Sequence, residues 1–127
     1  MDFISEYKSK LGTPEDAAKL VKSGDWVEYG NGTTFAVECD KALAKRRDEL
    51  FDVKFRGQIM YGPIEVAECD PSGEHFCYNA WHCSGYERKL LDQGRAYFSP
   101  MIFRNLAWYH KEFLHVNVAY VCATPMD

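Results

Sequence analysis

Apolar and polar residues alternate along the chain in two rhythms, one typical of strands and one typical of helices. The stretch Asp25–Arg47 shows both in turn. Strand-favouring residues at 26–29 are interrupted by Gly30-Asn31-Gly32, and apolar residues then recur at every fourth position within 35–43. This order predicts a strand, a glycine turn and a helix, with a hydroxyl of Thr33-Thr34 capping the first turn of the helix.

The remaining chain repeats this succession. Thr13-Pro14 and Ser84-Gly85-Tyr86-Glu87 carry the start signals of two further helices, and apolar residues within 106–113 predict another. Between Ile64 and Glu74 only a turn is predicted, at Asp70-Pro71-Ser72-Gly73, because the proline presets its own dihedral and the glycine accepts a positive one. Strands are predicted at 26–29, 53–56, 76–81, 97–98 and 116–121.

Short strands that alternate with helices are typical of βαβ units. The sequence therefore predicts an α/β fold, with a mostly parallel sheet built from βαβ units and helices on both faces. Val116–Val121 is the most apolar of the predicted strands, so we expect it to be buried in the centre of the sheet. Since a compact domain seldom ends on such a strand, we expect the chain to be the front portion of a longer protein.

Parallel α/β sheets bind their ligands outside the carboxyl ends of the strands, so those ends are the candidate site. A glycine turn before a helix also exposes backbone N–H groups, which favour anionic or carbonyl groups of a ligand. A tight connection without a ligand is the alternative. The predicted strand ends are Gly30-Asn31-Gly32, Gly57, Ser99-Pro100 and Ala123-Thr124-Pro125, and the predicted substrate-binding residues among them are Gly30, Asn31, Gly32, Ser99, Pro100, Thr124 and Pro125.

Composition narrows the class of protein. A chain of 127 residues with 46% hydrophobic residues is typical of one globular domain. A formal charge of −4 argues against a nucleic-acid partner, since affinity for a phosphate backbone needs many cationic contacts. The chain shows neither a secretory signal nor a run long enough to span a bilayer, which predicts a cytoplasmic protein without membrane contact. Five cysteines without a Cys-x-x-Cys pair fit reduced thiols.

Four blocks of the sequence carry a resemblance, at 23–27 with 29–32, at 41–46, at 97–101, and at 116–121 with 124–127. In order and spacing they resemble the landmarks of the acetyl-CoA hydrolase and transferase family. Within that family the resemblance is greatest to the 4-hydroxybutyrate and butyryl-CoA:acetate CoA-transferases. It covers the chain from about Ala17 to Asp127, but only the amino-terminal part of the family's length.

The resemblance implies transfer of coenzyme A, as a substrate, between an acyl-CoA and a short-chain carboxylate. It implies a glutamate in the second half of the protein that carries the CoA as a thioester, and no metal. That glutamate's motif and the second glycine-rich loop match nothing here, so no catalytic residue is assigned. We therefore expect residues 1–127 to be an amino-terminal CoA-transferase-like domain, inactive alone, which forms one wall of an acyl pocket beside a carboxy-terminal domain of the same protein. A homo-oligomer is expected, because uncovered apolar surface favours self-association.

Two other interpretations come from different classes of protein. His75, Cys77, His82 and Cys83 suggest a structural zinc site, although the usual paired spacing is missing and two of the residues are adjacent. In a strand, adjacent side chains point to opposite faces, which favours a core role for the cysteines. A glycine turn before a helix would also serve a nucleotide-binding module without catalysis.

Overall fold

Strands and helices follow one another along the chain, as the periodicity predicts. The computed structural model describes residues 2–124. Its helices are Phe3–Lys10 (α1), Pro14–Lys19 (α2), Val37–Ala44 (α3), Glu65–Cys69 (α4), Gly85–Asp92 (α5) and Leu106–Tyr109 (α6). Its strands are Trp26–Tyr29 (β1), Val53–Gln58 (β2), Phe76–His82 (β3), Tyr97–Phe98 (β4) and Val118–Tyr120 (β5). None of the helices within 2–124 combines the length and the apolar character needed to cross a bilayer.

The five strands form one sheet in the order β4-β3-β2-β1-β5, and every pairing between neighbours is parallel. The predicted parallel α/β sheet is therefore confirmed. The chain steps outward from β1 to β4 and then returns to the other side of β1. Because all strands run the same way, their carboxyl ends meet at one edge, and the strand order reverses between β1 and β5.

One face of the sheet holds the apolar core. Val27, Phe55 and Tyr78 lie side by side in register on β1, β2 and β3, and all three are buried. Leu43 of α3 and Leu90 of α5 belong to the same buried cluster, together with residues of α2 and α4. Four helices therefore cover this face, which accounts for the apolar positions of the helical pattern.

The other face is polar at its centre. Glu28, Arg56 and Asn79 lie in register across the same three strands, and Arg56 is fully buried. Arg56 Nη1 donates a hydrogen bond to Asn79 Oδ1 (2.8 Å), and its guanidinium lies 5.4 Å from the centre of the Trp81 ring. Burial raises the pKa of Glu28, whose carboxylate lies 3.5 Å from Arg56 Nε.

The segment around α6 covers this polar face, so helices lie on both faces of the sheet. Phe103, in the 3₁₀ turn Phe103–Asn105, stacks on the ring of Trp81 with 6.4 Å between ring centres. His110 follows α6 and begins a π-helical turn, His110–Leu114, and its Nε2 lies 3.3 Å from Glu28 Oε2. An aromatic contact and a polar contact thus join this segment to the sheet.

The prediction of a central strand at Val116–Val121 is wrong for the described sheet. Strand β5 is shorter, at Val118–Tyr120, and it is the outer strand with β1 as its neighbour. Tyr120 faces the helices and donates a hydrogen bond to the carbonyl oxygen of Ala17 (2.7 Å), whereas Val121 is 61% exposed. Apart from Asn117 the run is apolar on both faces, but only one of them packs against the core.

The predicted cap of α3 is also wrong. Gly32–Thr34 form a 3₁₀ turn, and α3 begins only at Val37, after Ala36, without a side-chain cap. The hydroxyl of Thr34 instead donates to the carbonyl oxygen of Asn31 (2.9 Å) and closes the turn on itself. The glycine turn and the helix are thus separate elements.

A buried carboxylate joins α3 to α4, a helix that the periodicity does not predict. Asp40 accepts hydrogen bonds from Tyr29 Oη (2.8 Å) and from the backbone N–H groups of Glu65 (2.6 Å) and Val66 (3.4 Å). The residue before α4, Ile64, offers no side-chain cap. Asp40 therefore takes the place of a local cap at the first turn of α4.

Replacing Asp40 with alanine leaves these donors without an acceptor. We expect the free energy of unfolding at pH 7 to fall by about 2–4 kcal/mol, since each unpaired buried donor costs about 1–3 kcal/mol. Glu38→Ala, on the same helix, is the control, because Glu38 is exposed and its ion pair is with the exposed Lys41. Its loss should stay below about 1 kcal/mol in urea unfolding. Equal losses for the two variants would contradict the role of Asp40.

The ionisation of Asp40 gives a separate test. Burial raises the pKa of Asp40 from 3.8 to about 6, against the opposing effect of its hydrogen bonds. The folded state therefore holds this proton more tightly than the unfolded state. The resulting stability is fully present below pH 4 and is lost as the pH rises through about 6, by at most about 3 kcal/mol. Urea unfolding at pH 4 and pH 7 should show a larger advantage of the wild type over Asp40→Ala at pH 4; an advantage that grows with pH would refute this.

Candidate substrate cleft

The turn after β1 folds back sharply at the carboxyl edge of the sheet. Gly30 N donates to the carbonyl oxygen of Tyr120 (2.9 Å), and Cys122 N donates to that of Thr34 (2.9 Å). A Cβ atom on Gly30 would lie 2.3 Å from the carbonyl oxygen of Thr34, so glycine is required for this close approach. The turn and the segment after β5 are therefore joined at the point where the strand order reverses.

The loop after β2, residues 59–64, lies opposite this turn. Strand β2 carries a register shift at Gly57/Gln58, and Ile59 follows with a φ of 51°. A β-branched residue in the left-handed region costs on the order of 1–3 kcal/mol, so the loop conformation depends on its surroundings. The loop presents Tyr61, which is 74% exposed, and a Cβ atom on Gly32 would lie only 3.1 Å from its ring.

Between the turn and the loop lies an open cleft of about 560 Å³. Its wall is largely apolar, and among the described residues that line it the charged ones are Lys41 and Glu65. Lys41 Nζ lies 2.8 Å from Glu38 Oε1, and this hydrogen bond raises the pKa of Lys41. Such a cleft suits a small apolar group attached to a polar or anionic one. The lining residues are Gly32, Thr33, Phe35, Val37, Lys41, Tyr61, Gly62, Pro63 and Glu65.

Hydrogen bonds hold both ends of the loop. At its start, Ile59 N donates to the carbonyl oxygen of His82 (2.9 Å), and Met60 N donates to Glu87 Oε2 (3.1 Å). At its end, Ile64 N donates to the hydroxyl oxygen of Tyr86 (3.2 Å). Two adjacent residues of α5 thus hold the loop, while its apex at 61–63 faces the cleft.

The predicted site residues fall into two separate places. The turn Gly30–Gly32 lies beside the segment that contains Thr124, and Gly32 lines the cleft. Ser99 and Pro100 follow β4, three strands from β1, which corresponds to roughly 14 Å. The hydroxyl of Ser99 accepts a hydrogen bond from Asn79 Nδ2 (2.9 Å). Pro125 lies outside the described residues, and ligand binding at all of these positions stays a prediction.

The sequence interpretation placed one strand end wrongly and missed part of the cleft. Gly57 lies inside β2, where the absence of a side chain makes room for the hydroxyl of Tyr78, 2.3 Å from the position of a Cβ atom. The strand continues to Gln58, and the cleft residues are Tyr61, Gly62 and Pro63. The sequence does contain a signal for this loop, because the apolar run 59–61 leads directly into Gly62-Pro63, a pair that favours a turn.

The zinc interpretation gains no support from the geometry. His75 and His82 stand at opposite ends of β3, roughly 23 Å apart for an extended strand. His75 Nδ1 lies 2.8 Å from the carbonyl oxygen of Leu50. Within residues 2–124, no three His, Cys, Asp or Glu side chains are grouped so as to hold a metal ion.

The sequence and the fold agree with a known class of protein. Residues 1–127 match the acetyl-CoA hydrolase/transferase N-terminal domain, and the chain belongs to this family. The computed structure superimposes on the crystal structure of RipA from Yersinia pestis with a TM-score of 0.79 and 20% identity, over 100% of this chain and 32% of that one. At this identity the likeness shows the fold alone.

Among curated relatives, the chain is similar to the butyryl-CoA:acetate CoA-transferase of Anaerostipes caccae, with 43% identity over 128 residues. It is also similar to the probable butyrate:acetyl-CoA coenzyme A-transferase of Syntrophomonas wolfei, with 46% identity over 124 residues. These matches cover 100% and 98% of this chain, but 29% and 28% of the relatives. The chain thus spans less than a third of the length of these CoA-transferases.

Gly30 of the turn and Gly62 of the cleft provide a test of the turn geometry. Gly30→Ala places a Cβ atom against the backbone of Thr34, and we expect the free energy of unfolding to fall by about 1–3 kcal/mol. Gly62→Ala is the matched control, because no atom lies within 4 Å of its Cβ position. The control should change stability by less than about 1 kcal/mol in urea unfolding. Equal effects would show that the turn does not require glycine at residue 30.

Proposed function

We propose that the chain is the amino-terminal portion of an acyl-CoA:carboxylate CoA-transferase that exchanges CoA between acetate and butyryl-CoA or 4-hydroxybutyryl-CoA. The observation that carries this proposal is the similarity, over the whole chain, to two CoA-transferases whose names specify butyrate and acetate. The apolar cleft at the carboxyl edge supports it, because a four-carbon acyl chain is a small apolar group attached to a polar carbonyl. We further propose that the full-length protein is cytoplasmic and forms a homo-oligomer.

The proposed reaction uses a glutamate outside residues 1–127. Its carboxylate attacks the thioester carbonyl of the acyl-CoA, and the CoA thiolate leaves, which gives a mixed anhydride. The thiolate then attacks the glutamyl carbonyl of the anhydride, which forms a glutamyl-CoA thioester and releases the first carboxylate. Acetate then attacks the glutamyl carbonyl of the thioester, and the CoA thiolate leaves, which gives a second mixed anhydride. The thiolate attacks the acetyl carbonyl of this anhydride, which forms acetyl-CoA and regenerates the glutamate.

In this proposal the chain contributes binding and orientation. The chain forms one wall of the acyl pocket, and this wall contains the cleft between the loop apex at 61–63 and the turn at 30–32. Lys41 provides a cation at the rim of the cleft. Backbone N–H groups of the turn are suited to a carbonyl or carboxylate oxygen of the substrate. The carboxy-terminal domain of the same protein supplies the reactive carboxylate, so the isolated chain is inactive.

Transfer assays test the proposal directly. The full-length protein and residues 1–127 are each incubated with butyryl-CoA and acetate, and acetyl-CoA is followed by chromatography. We expect turnover by the full-length protein and none by residues 1–127, whose folding circular dichroism confirms. Turnover by residues 1–127 alone would overturn the proposal.

Mass spectrometry locates the intermediate in the same protein. After incubation with butyryl-CoA in the absence of acceptor, we expect a CoA adduct on a glutamate outside residues 1–127. An adduct within 1–127 would contradict the proposal that the reactive glutamate lies in the carboxy-terminal domain.

Calorimetric titration with butyryl-CoA and with ATP, in parallel, tests the nucleotide-binding alternative. That alternative predicts heat of binding with ATP only.

A further inference from the structure

We propose that Glu87 is a positioning residue that fixes the loop at 59–64 against the turn at 30–32 and thereby sets the selectivity of the cleft for acyl-chain length. This inference rests on the proposed function, because it concerns the same cleft. It goes beyond that function by naming a residue that does not line the cleft and yet determines its width.

Glu87 connects the loop to two other elements. Oε2 accepts hydrogen bonds from Met60 N (3.1 Å) and from Ser84 N (2.8 Å), and Oε1 accepts one from Tyr78 Oη (2.9 Å). Glu87 is fully buried, and so is Met60. A carboxylate that only capped α5 would need the Ser84 contact alone, and it would tolerate exposure to solvent.

The surroundings of Glu87 are built for this contact. Tyr78 reaches Glu87 only because Gly57 lacks a side chain, since a Cβ atom there would lie 2.3 Å from the tyrosine oxygen. The contact to Met60 N comes directly after Ile59, whose positive φ turns the chain away from β2. An unfavourable backbone conformation persists only where neighbouring contacts hold it, and Glu87 provides such a contact.

The held loop determines the opposite wall of the cleft. Tyr86, the neighbour of Glu87, accepts from Ile64 N and holds the far end of the loop. Between these two anchors the loop projects Tyr61 towards Gly32, where the ring comes close to the glycine backbone. A displacement of the loop therefore changes the distance between the two walls, and this distance limits the length of the acyl chain that fits.

The test uses the full-length protein and the ratio of kcat/KM for butyryl-CoA to that for acetyl-CoA, with a common acceptor. Glu87→Ala is expected to move this ratio towards equality by at least about fivefold, since a pocket that senses chain length discriminates about tenfold or more for each methylene. Amide hydrogen exchange at 60–62 is expected to become faster. Glu87→Gln keeps one oxygen for Met60 N and Ser84 N, so it should restore both readouts.

Asp70→Ala is the matched control for loss of a buried carboxylate. Asp70 accepts from the N–H groups of His75 (2.7 Å) and Phe76 (2.9 Å), at the amino end of β3 and thus away from the cleft. The ratio of kcat/KM for butyryl-CoA to that for acetyl-CoA should stay within about twofold of the wild-type ratio in Asp70→Ala, even if its free energy of unfolding is lower. An unchanged ratio for Glu87→Ala, or an equal shift for Asp70→Ala, would overturn the inference.

A second variant decides the question if Glu87→Ala does not fold. Tyr86→Phe removes the acceptor of Ile64 N at the other end of the loop and should shift the ratio in the same direction; an unchanged ratio would overturn the inference. If the wild-type protein transfers CoA from neither substrate, the proposed function fails by itself. Amide exchange at 60–62 then still tests whether Glu87 holds the loop. Exchange should be faster in Glu87→Ala than in Asp70→Ala, or faster in Tyr86→Phe than in Asp70→Ala if Glu87→Ala does not fold; equal exchange would overturn the inference.

Discussion

Hydrogen bonds from loop backbone N–H groups to buried carboxylates determine the shape of the carboxyl edge. Asp40 accepts hydrogen bonds from the first turn of α4, and Glu87 accepts one from the loop that follows β2. In both cases a side-chain carboxylate of a helix accepts hydrogen bonds from backbone N–H groups of another segment. Because these groups are buried, loss of the hydrogen bond would lower the free energy of unfolding. The cleft lies between elements that these two carboxylates connect, so its form depends on the core beneath it.

The sequence predicted the local features of the fold well. The capping signal at Ser84 and Glu87 and the start of α2 at Thr13-Pro14 are confirmed, because their partners are three residues apart or fewer. The parallel sheet followed from the alternation of elements. The contacts that shape the cleft could not be predicted in this way, since Asp40 and Glu65 are 25 positions apart and Glu87 and Met60 are 27 positions apart.

The errors have a common physical origin, since they depend on how an element packs rather than on its own residues. Apart from Asn117, Val116–Val121 is apolar on both faces, and only the structure shows that β5 has one neighbour in the described sheet. Gly57 reads as a strand end, but it is a gap in β2 that a tyrosine from β3 fills. The pattern of strand, glycine turn and helix located the turn after β1 correctly. The loop after β2, which completes the cleft, became apparent only in the structure.

The contact between His110 and Glu28 has a consequence for how the segment around α6 stays attached to the sheet. His110 Nδ1 lies 3.0 Å from the carbonyl oxygen of Leu106, which can only accept, so this nitrogen carries a hydrogen. The opposite nitrogen, Nε2, faces Glu28 Oε2 of β1 at 3.3 Å, so the imidazole ring connects its own helical turn to a strand 82 positions earlier in the chain. A single side chain thus anchors the covering segment on the polar face, beside the stacking of Phe103 on Trp81.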